Sequence, residues 1–176
     1  MKPFTLNIRG NLLRVERPMI MGIINVTPDS FWEGSRAADA DSIAGRAAAM
    51  IADGADIIDL GACSTRPGAE TCDAATEEAH IAVGVEAVRS VSADIPLSVD
   101  TFRASVARSA VERGADIVND ISGGDLDPEM MPTVASLHVP YILMHMRGTP
   151  ATMQSMCDYP EGVVAEVVAD LSRKIE

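Results

Sequence analysis

Six side chains able to make directed hydrogen bonds stand where short apolar runs give out: Asn25, Asp59, Asp100, Asn119 with Asp120, and His145. An ionised carboxylate such as Asp100 only accepts, whereas the amide of Asn119 both donates and accepts, so neighbours of this kind can hold the edge of a polar ligand. Each would serve equally as an ordinary cap at the end of a strand. Residues 27–30, Thr-Pro-Asp-Ser, also have a plain reading as a turn: Pro presets φ, and Asp and Ser bond nearby backbone N–H groups. Asp and Glu outnumber Lys and Arg by 26 to 14, a net charge of −12, against which the loop cations Arg66 and Arg147 stand out. Such a field repels a phosphate backbone, so nucleic acid is not an expected partner.

The elements that must position these groups follow one another with a regular alternation. Residues 1–16 alternate around Arg9-Gly10-Asn11 and predict a β-hairpin, which in a barrel would plug the bottom. Met21, Ile23, Ile24 and Val26 form a β-branched, nearly continuous run expected of a strand buried on both faces. Further strands are predicted over residues 55–61, 96–100, 115–120 and 139–145. Helices are predicted over residues 39–52, from Thr76 with a buried stripe of Ile81, Val85, Val88 and Val91, over 103–113, 129–137, and 162–175 with Val163, Val167 and Leu171 on one face. The segment A-D-G-A-D-I-I-D at 52–59 recurs as E-R-G-A-D-I-V-N at 112–119, a helix-ending Gly followed by a strand.

About five βα units in succession imply a parallel sheet with right-handed crossovers, either a doubly wound open sheet or a (β/α)₈ TIM barrel. A doubly wound sheet needs chemistry at one switch point, whereas a barrel gathers it from every strand's C-terminal end. Polar groups at all five ends favour the barrel. A complete barrel needs roughly 250 residues, so the 176 residues, read as one domain over 1–176, are expected to form an incomplete barrel cut short at its C-terminus. With 47% hydrophobic and 23% charged residues, and neither a signal peptide's apolar core nor a run of about 20 apolar residues, a cytoplasmic location without membrane contact is expected. Cys63, Cys72 and Cys157 contain no C-x-x-C pair and are expected to be reduced thiols.

The loops carry a resemblance. N-V-T-P-D-S-F after the first sheet strand resembles the first signature of the dihydropteroate synthase family, G-A-C-S-T-R-P-G-A-E at 61–70 its second, and S-V-D-T at 98–101 with N-D-I-S-G-G at 119–124 its third. L-M-H-M-R-G-T-P at 143–150 completes four blocks in the family's order, each at a strand-to-loop junction. The family's (β/α)₈ barrel, usually dimeric, joins 4-aminobenzoate to 6-hydroxymethyl-7,8-dihydropterin diphosphate and releases pyrophosphate, and sulfonamides compete for the aminobenzoate position.

The resemblance implies pterin binding by Asp100 and Asn119, and a role for Asn25 beside Mg²⁺ and the diphosphate. A neutral oxygen ligand suits Mg²⁺, which keeps waters and shares phosphate oxygens. Thr65 and Arg66 match positions near the diphosphate and aminobenzoate, and Phe31, Ser64 and Pro67 match positions that wall the aminobenzoate pocket. Asp29 would brace the loops through Arg66. His145, a single histidine at a strand end, is read as a satisfied supporting group outside the catalytic set. Ala62-Cys63 and Trp32-Glu33-Gly34-Ser35 depart from the family's usual loops, and its later D-P-G-x-G-F-G-K, S-R-K and R-x-H blocks are not in this sequence. The partners implied are small-molecule substrates and, at full length, a second copy of the chain. Two other readings are a pterin-dependent methyltransferase that passes a methyl group to a corrinoid, and a non-catalytic fragment or subunit that completes a barrel with another chain.

Overall fold

The computed structural model describes residues 2–26, 36–62 and 72–175. Its first element is the expected hairpin, β1 (Phe4–Ile8) and β2 (Asn11–Val15), paired antiparallel with Ile8 opposite Asn11. The two connecting residues, Arg9 and Gly10, both lie at positive φ, +50° and +80°, as a tight primed turn requires, and Asn7 Oδ1 accepts the Gly10 N–H at 2.9 Å.

The main sheet contains β3 (Met21–Asn25), β4 (Ile57–Gly61), β5 (Leu97–Asp100), β6 (Ile117–Asp120) and β7 (Tyr141–Leu143), all parallel and in the order β3-β4-β5-β6-β7. Helices α1 (Arg36–Ala52), α2 (Ala74–Val91), α3 (Ala104–Glu112) and α4 (Met130–Leu137) connect successive strands, and α5 (Val163–Ile175) follows β7. A doubly wound sheet reverses its strand order at a switch point. Here the order never reverses, which is the progression of a (β/α)₈ barrel, incomplete at five strands.

The outward sides of the strands meet the helices. Ile24, Ile58, Leu60, Leu97 and Val99 pack with Ile43 and Ala47 of α1, Ile81, Val85 and Val88 of α2, and Val106 and Ala110 of α3. Burying each such aliphatic side chain contributes about 1.5–3 kcal/mol. Gly84 of α2 permits the close approach: a Cβ there would lie 3.1 Å from Leu60 Cδ1 and 3.3 Å from Val26 Cγ2. The hairpin closes the other side. Ile8, with Leu6 and Leu13, packs on Met21, Ile57 and Ile117 at the strands' starts, so the hairpin does plug the bottom of the barrel.

The sequence echo recurs in three dimensions. Gly54 and Gly114 end their helices at φ +99° and +117°, and the Asp two residues after each ties its strand to the neighbour on the N-terminal side. Asp56 Oδ2 accepts from Ile20 N and Asp116 Oδ2 from Leu97 N, each at 2.9 Å. Asp116 is also paired with Arg9 of the hairpin turn at 2.8 Å and with Arg89 of α2 at 2.6 Å, pinning hairpin, helix and sheet together.

Three expectations need correction. Val91, assigned to the buried stripe of α2, is exposed, as is Val163 at the start of α5. The half-buried face of α5 instead mixes Val167 and Leu171 with Glu166, Asp170 and Lys174, so ion pairs with Arg147 and Asp125 and a hydrogen bond with His145 take the place of an apolar stripe. Cys72 is disulfide-bonded and not the reduced thiol expected, whereas Cys157 is free and exposed; the lack of a C-x-x-C pair does not exclude a bond between cysteines at other spacings.

Candidate functional site

Parallel pairing places Asn25 beside Gly61, Gly61 beside Asp100, Asp100 beside Asn119 and Asn119 beside Ile142. These residues form one lateral row at the C-terminal end of the sheet. Gly61 shows that the row faces a common space: a Cβ built on it would lie 3.5 Å from Asn25 Oδ1 and 3.6 Å from Asp100 Oδ2. Asn25, Asp100 and Asn119, three of the candidates from sequence, are thus brought together from strands whose sequence positions span 94 residues (119 − 25).

Two residues below the row, a second tier faces the same way because strand side chains alternate. Ile23, Asp59, Ser98 and Ile117 are neighbours in register there. Asp59 is 3% exposed, and its Oδ2 accepts from Asn119 Nδ2 at 3.3 Å. Its Oδ1 and the buried Ser98 hydroxyl have no hydrogen-bond partner among the described residues. Below them lies the apolar floor of Met21, Ile57 and the hairpin. The barrel is therefore graded, apolar at the base and polar at the mouth.

This grading sets the electrostatics. Burial pushes the Asp100 carboxyl up to about 7, and the nearby negative charges of Asp59, Asp120 and Glu77 add to it. Burial also raises Asp59, with the hydrogen bond from Asn119 working against the shift. A carboxyl poised near neutrality beside an amide is suited to the donor and acceptor edge of a flat heterocycle, and two buried polar atoms with no partner among the described residues lie one tier deeper. Asp59 is the residue that sequence reasoning left out of the site. Its signal was available, since it occupies the same place in the echo as Asn119.

Asp120 belongs to the opposite face. Its carboxylate accepts from Ser122 N at 2.7 Å, Ser122 Oγ at 2.8 Å, Gly124 N at 2.8 Å and Tyr141 OH at 2.7 Å, so it shapes the loop after β6. His145 is held between Asp170 Oδ2 at 2.6 Å and the Tyr159 hydroxyl at 3.2 Å, the supporting position expected of it. Arg147 lies over the Tyr159 ring at 4.8 Å and donates to the Asp158 carbonyl, so it too serves its own loop. Asp29, Phe31, Ser64, Thr65, Arg66 and Pro67 lie outside the described residues.

Among the described residues no group of three or more His, Cys, Asp or Glu side chains could hold a metal ion. The fit to Mg²⁺ rests on a different donor set: the Asn25 amide oxygen, opening onto the same space as the Asp100 carboxylate, is a hard oxygen donor compatible with an ion whose remaining ligands are waters and phosphate oxygens.

The profile of the pterin binding enzymes matches residues 21–176. The chain is 46% identical over 144 residues to the dihydropteroate synthase of Synechocystis sp., covering 82% of this chain and 50% of the relative. It is 42% identical over 158 residues to the folic acid synthesis protein fol1 of Schizosaccharomyces pombe, covering 90% of this chain and 21% of the relative. Among solved structures, the dihydropteroate synthase of Burkholderia cenocepacia complexed with 7,8-dihydropteroate superposes with a TM-score of 0.79 at 38% identity, over 98% of this chain and 57% of that one. The chain spans half the length of the cyanobacterial relative and about a fifth of the fungal one.

Proposed function

The chain belongs to the pterin binding enzyme family, and from that membership we propose that it carries the N-terminal part of the barrel of a dihydropteroate synthase. The reaction is the condensation of 6-hydroxymethyl-7,8-dihydropterin diphosphate with 4-aminobenzoate to 7,8-dihydropteroate and pyrophosphate. The observation that carries this reading is the row of Asn25, Gly61, Asp100 and Asn119, with Asp59 one tier below. A pterin offers a flat edge of ring N–H, amino and carbonyl groups. Asp100 as acceptor and Asn119 as donor and acceptor match that edge, and Gly61 leaves room for the ring.

The chemistry needs no protein nucleophile. Departure of the diphosphate breaks the C–O bond at the pterin methylene and leaves a cation delocalised into the ring, which the arylamine nitrogen then attacks before losing its proton. The chain's part is to hold the ring and to align the two reactants. Asn25 would hold Mg²⁺ together with diphosphate oxygens, and the ion would supply neutralisation of the leaving group's charge. Thr65, Arg66 and Asp29 are assigned to the diphosphate and loop machinery, and Phe31, Ser64 and Pro67 to the aminobenzoate wall. No helix among the described residues is long and apolar enough to cross a membrane, and we assign the enzyme to the cytoplasm and, at full length, to a homodimer.

The test is pyrophosphate release by the product of the complete gene, supplied with both substrates. Release that requires 4-aminobenzoate and falls about a hundredfold or more in Asp100→Ala is expected, a loss in the range of a removed transition-state contact. Release without 4-aminobenzoate, or unchanged in Asp100→Ala, overturns the reading.

A further inference from the structure

Among the described residues, Glu77 is the one acidic side chain of the largest fully buried side chains, 1% exposed in the first turn of α2. An acidic residue at that position ordinarily faces water and complements the helix dipole. Here it faces inward. Its Oε1 accepts from the Thr101 hydroxyl at 2.6 Å and its Oε2 from Arg103 Nη1. The other guanidinium nitrogen, Nη2, donates to the Cys72 carbonyl at 2.9 Å. Thr101 Oγ1 in turn accepts the Arg103 N–H at 3.1 Å, and Thr101 N donates to the Asn119 carbonyl at 2.9 Å. The Arg103 guanidinium lies over the Phe102 ring at 4.6 Å.

These bonds join two stretches of chain far apart in sequence. Cys72 lies just before α2 and Glu77 in its first turn, and Thr101 to Arg103 directly follow Asp100. A guanidinium suits the junction because its rigid fork can serve a carboxylate and a carbonyl at once, which a single point charge does less well. Burying a carboxylate is costly unless it is paired and hydrogen-bonded, so its presence beside the candidate row calls for a reason beyond packing.

We propose that Glu77 and Arg103 are a positioning pair for the pterin site, fixing Cys72 and the turn after Asp100 to one common point. The proposal rests on reading Asp100 as a pterin ligand. Neither residue touches the substrate; both act through the placement of Asp100 and of the chain at Cys72.

The experiment uses the product of the complete gene in reductant-free buffer, with the variants Arg103→Met, Arg103→Lys and Glu77→Gln. Hydrogen exchange followed by mass spectrometry is expected to show amides at 72–77 exchanging about tenfold faster in Arg103→Met and Glu77→Gln, those at 117–120 unchanged, and partial recovery in Arg103→Lys. Affinity for 7,8-dihydropteroate is expected to fall about tenfold in Arg103→Met and to recover in part in Arg103→Lys. Unchanged exchange at 72–77, equal acceleration in every strand, or undiminished affinity in Arg103→Met overturns the pair's positioning role. If the unaltered protein does not bind 7,8-dihydropteroate, the functional reading falls, and exchange at 72–77 alone decides whether the pair fixes this junction.

Discussion

Asn119 donates its side-chain amide to Asp59 Oδ2 at 3.3 Å, a bond between residues 60 apart that skips over the strand lying between their own. Because the other carboxyl oxygen of Asp59 has no partner among the described residues, this amide is a main support of a buried carboxyl. Asn119→Ala is therefore expected to lower stability by about 1–3 kcal/mol, the cost of leaving a buried polar group unsatisfied. Urea unfolding at pH 7 checks this. An unchanged midpoint would mean that Asp59 finds another donor.

The raised Asp100 carboxyl makes stability depend on pH in a definite sense. Between the ordinary carboxylate value of 3.8 and about 7, the folded chain holds this proton more tightly than the unfolded one. Folding is therefore favoured by Asp100 at the acid end and loses that contribution as pH rises toward and through 7. Asp100→Asn is expected to remove its share of this slope, roughly 2 kcal/mol between pH 5 and 8, as measured by urea unfolding at the two pH values. A variant that keeps the parent's slope would show that Asp100 titrates normally.

Gly61 separates binding from folding. An alanine Cβ there would rest in ordinary van der Waals contact with Asn25 and Asp100, so Gly61→Ala is expected to fold with a stability change below about 1 kcal/mol. Gly61→Leu would fill the space between the two side chains and is expected to weaken 7,8-dihydropteroate binding by about tenfold or more. Calorimetric titration of both variants tests this, with equal affinity in the leucine variant as the contrary result.

The two aspartates of the echo differ in what their loss should cost. Asp116 is 1% exposed and holds both Arg9 and Arg89, so Asp116→Ala is expected to destabilise by about 3–5 kcal/mol, as when a buried pair loses one partner. Asp56 pairs with an exposed Arg17, and Asp56→Ala should cost clearly less. Thermal melting of the two variants side by side gives the comparison, and similar losses would count against the distinction.

Much of this architecture was legible because buried parallel strands and helix stops leave local marks. The β-branched runs ending in Asn25, Asp100 and Asn119, and the glycines at 54 and 114, announce strand ends and helix ends without reference to the rest of the chain. Other features depend on distant partners. Glu77 has the sequence context of a solvent-facing first-turn acid, and only Thr101 and Arg103, which arrive from another unit, draw it inside. The expected strand over 139–145 shrinks to Tyr141–Leu143, since Pro140 has no N–H and contributes only a carbonyl, to Val118 N at 3.0 Å. The 3₁₀ turn Met153–Ser155 was missed because it follows from local bonds of Thr149 and Thr152 in a stretch without apolar periodicity.

The repeated segment has a further implication when its final letters are compared. A motif that returns at an interval of two strands sends its last side chain into the same interior, within reach of its predecessor's. Faithful duplication would have set one carboxylate against another at hydrogen-bonding range, a repulsion that only a shared proton could relieve. The second copy ends in the amide instead, so this is the point at which divergence between the copies turns a conflict into a bond.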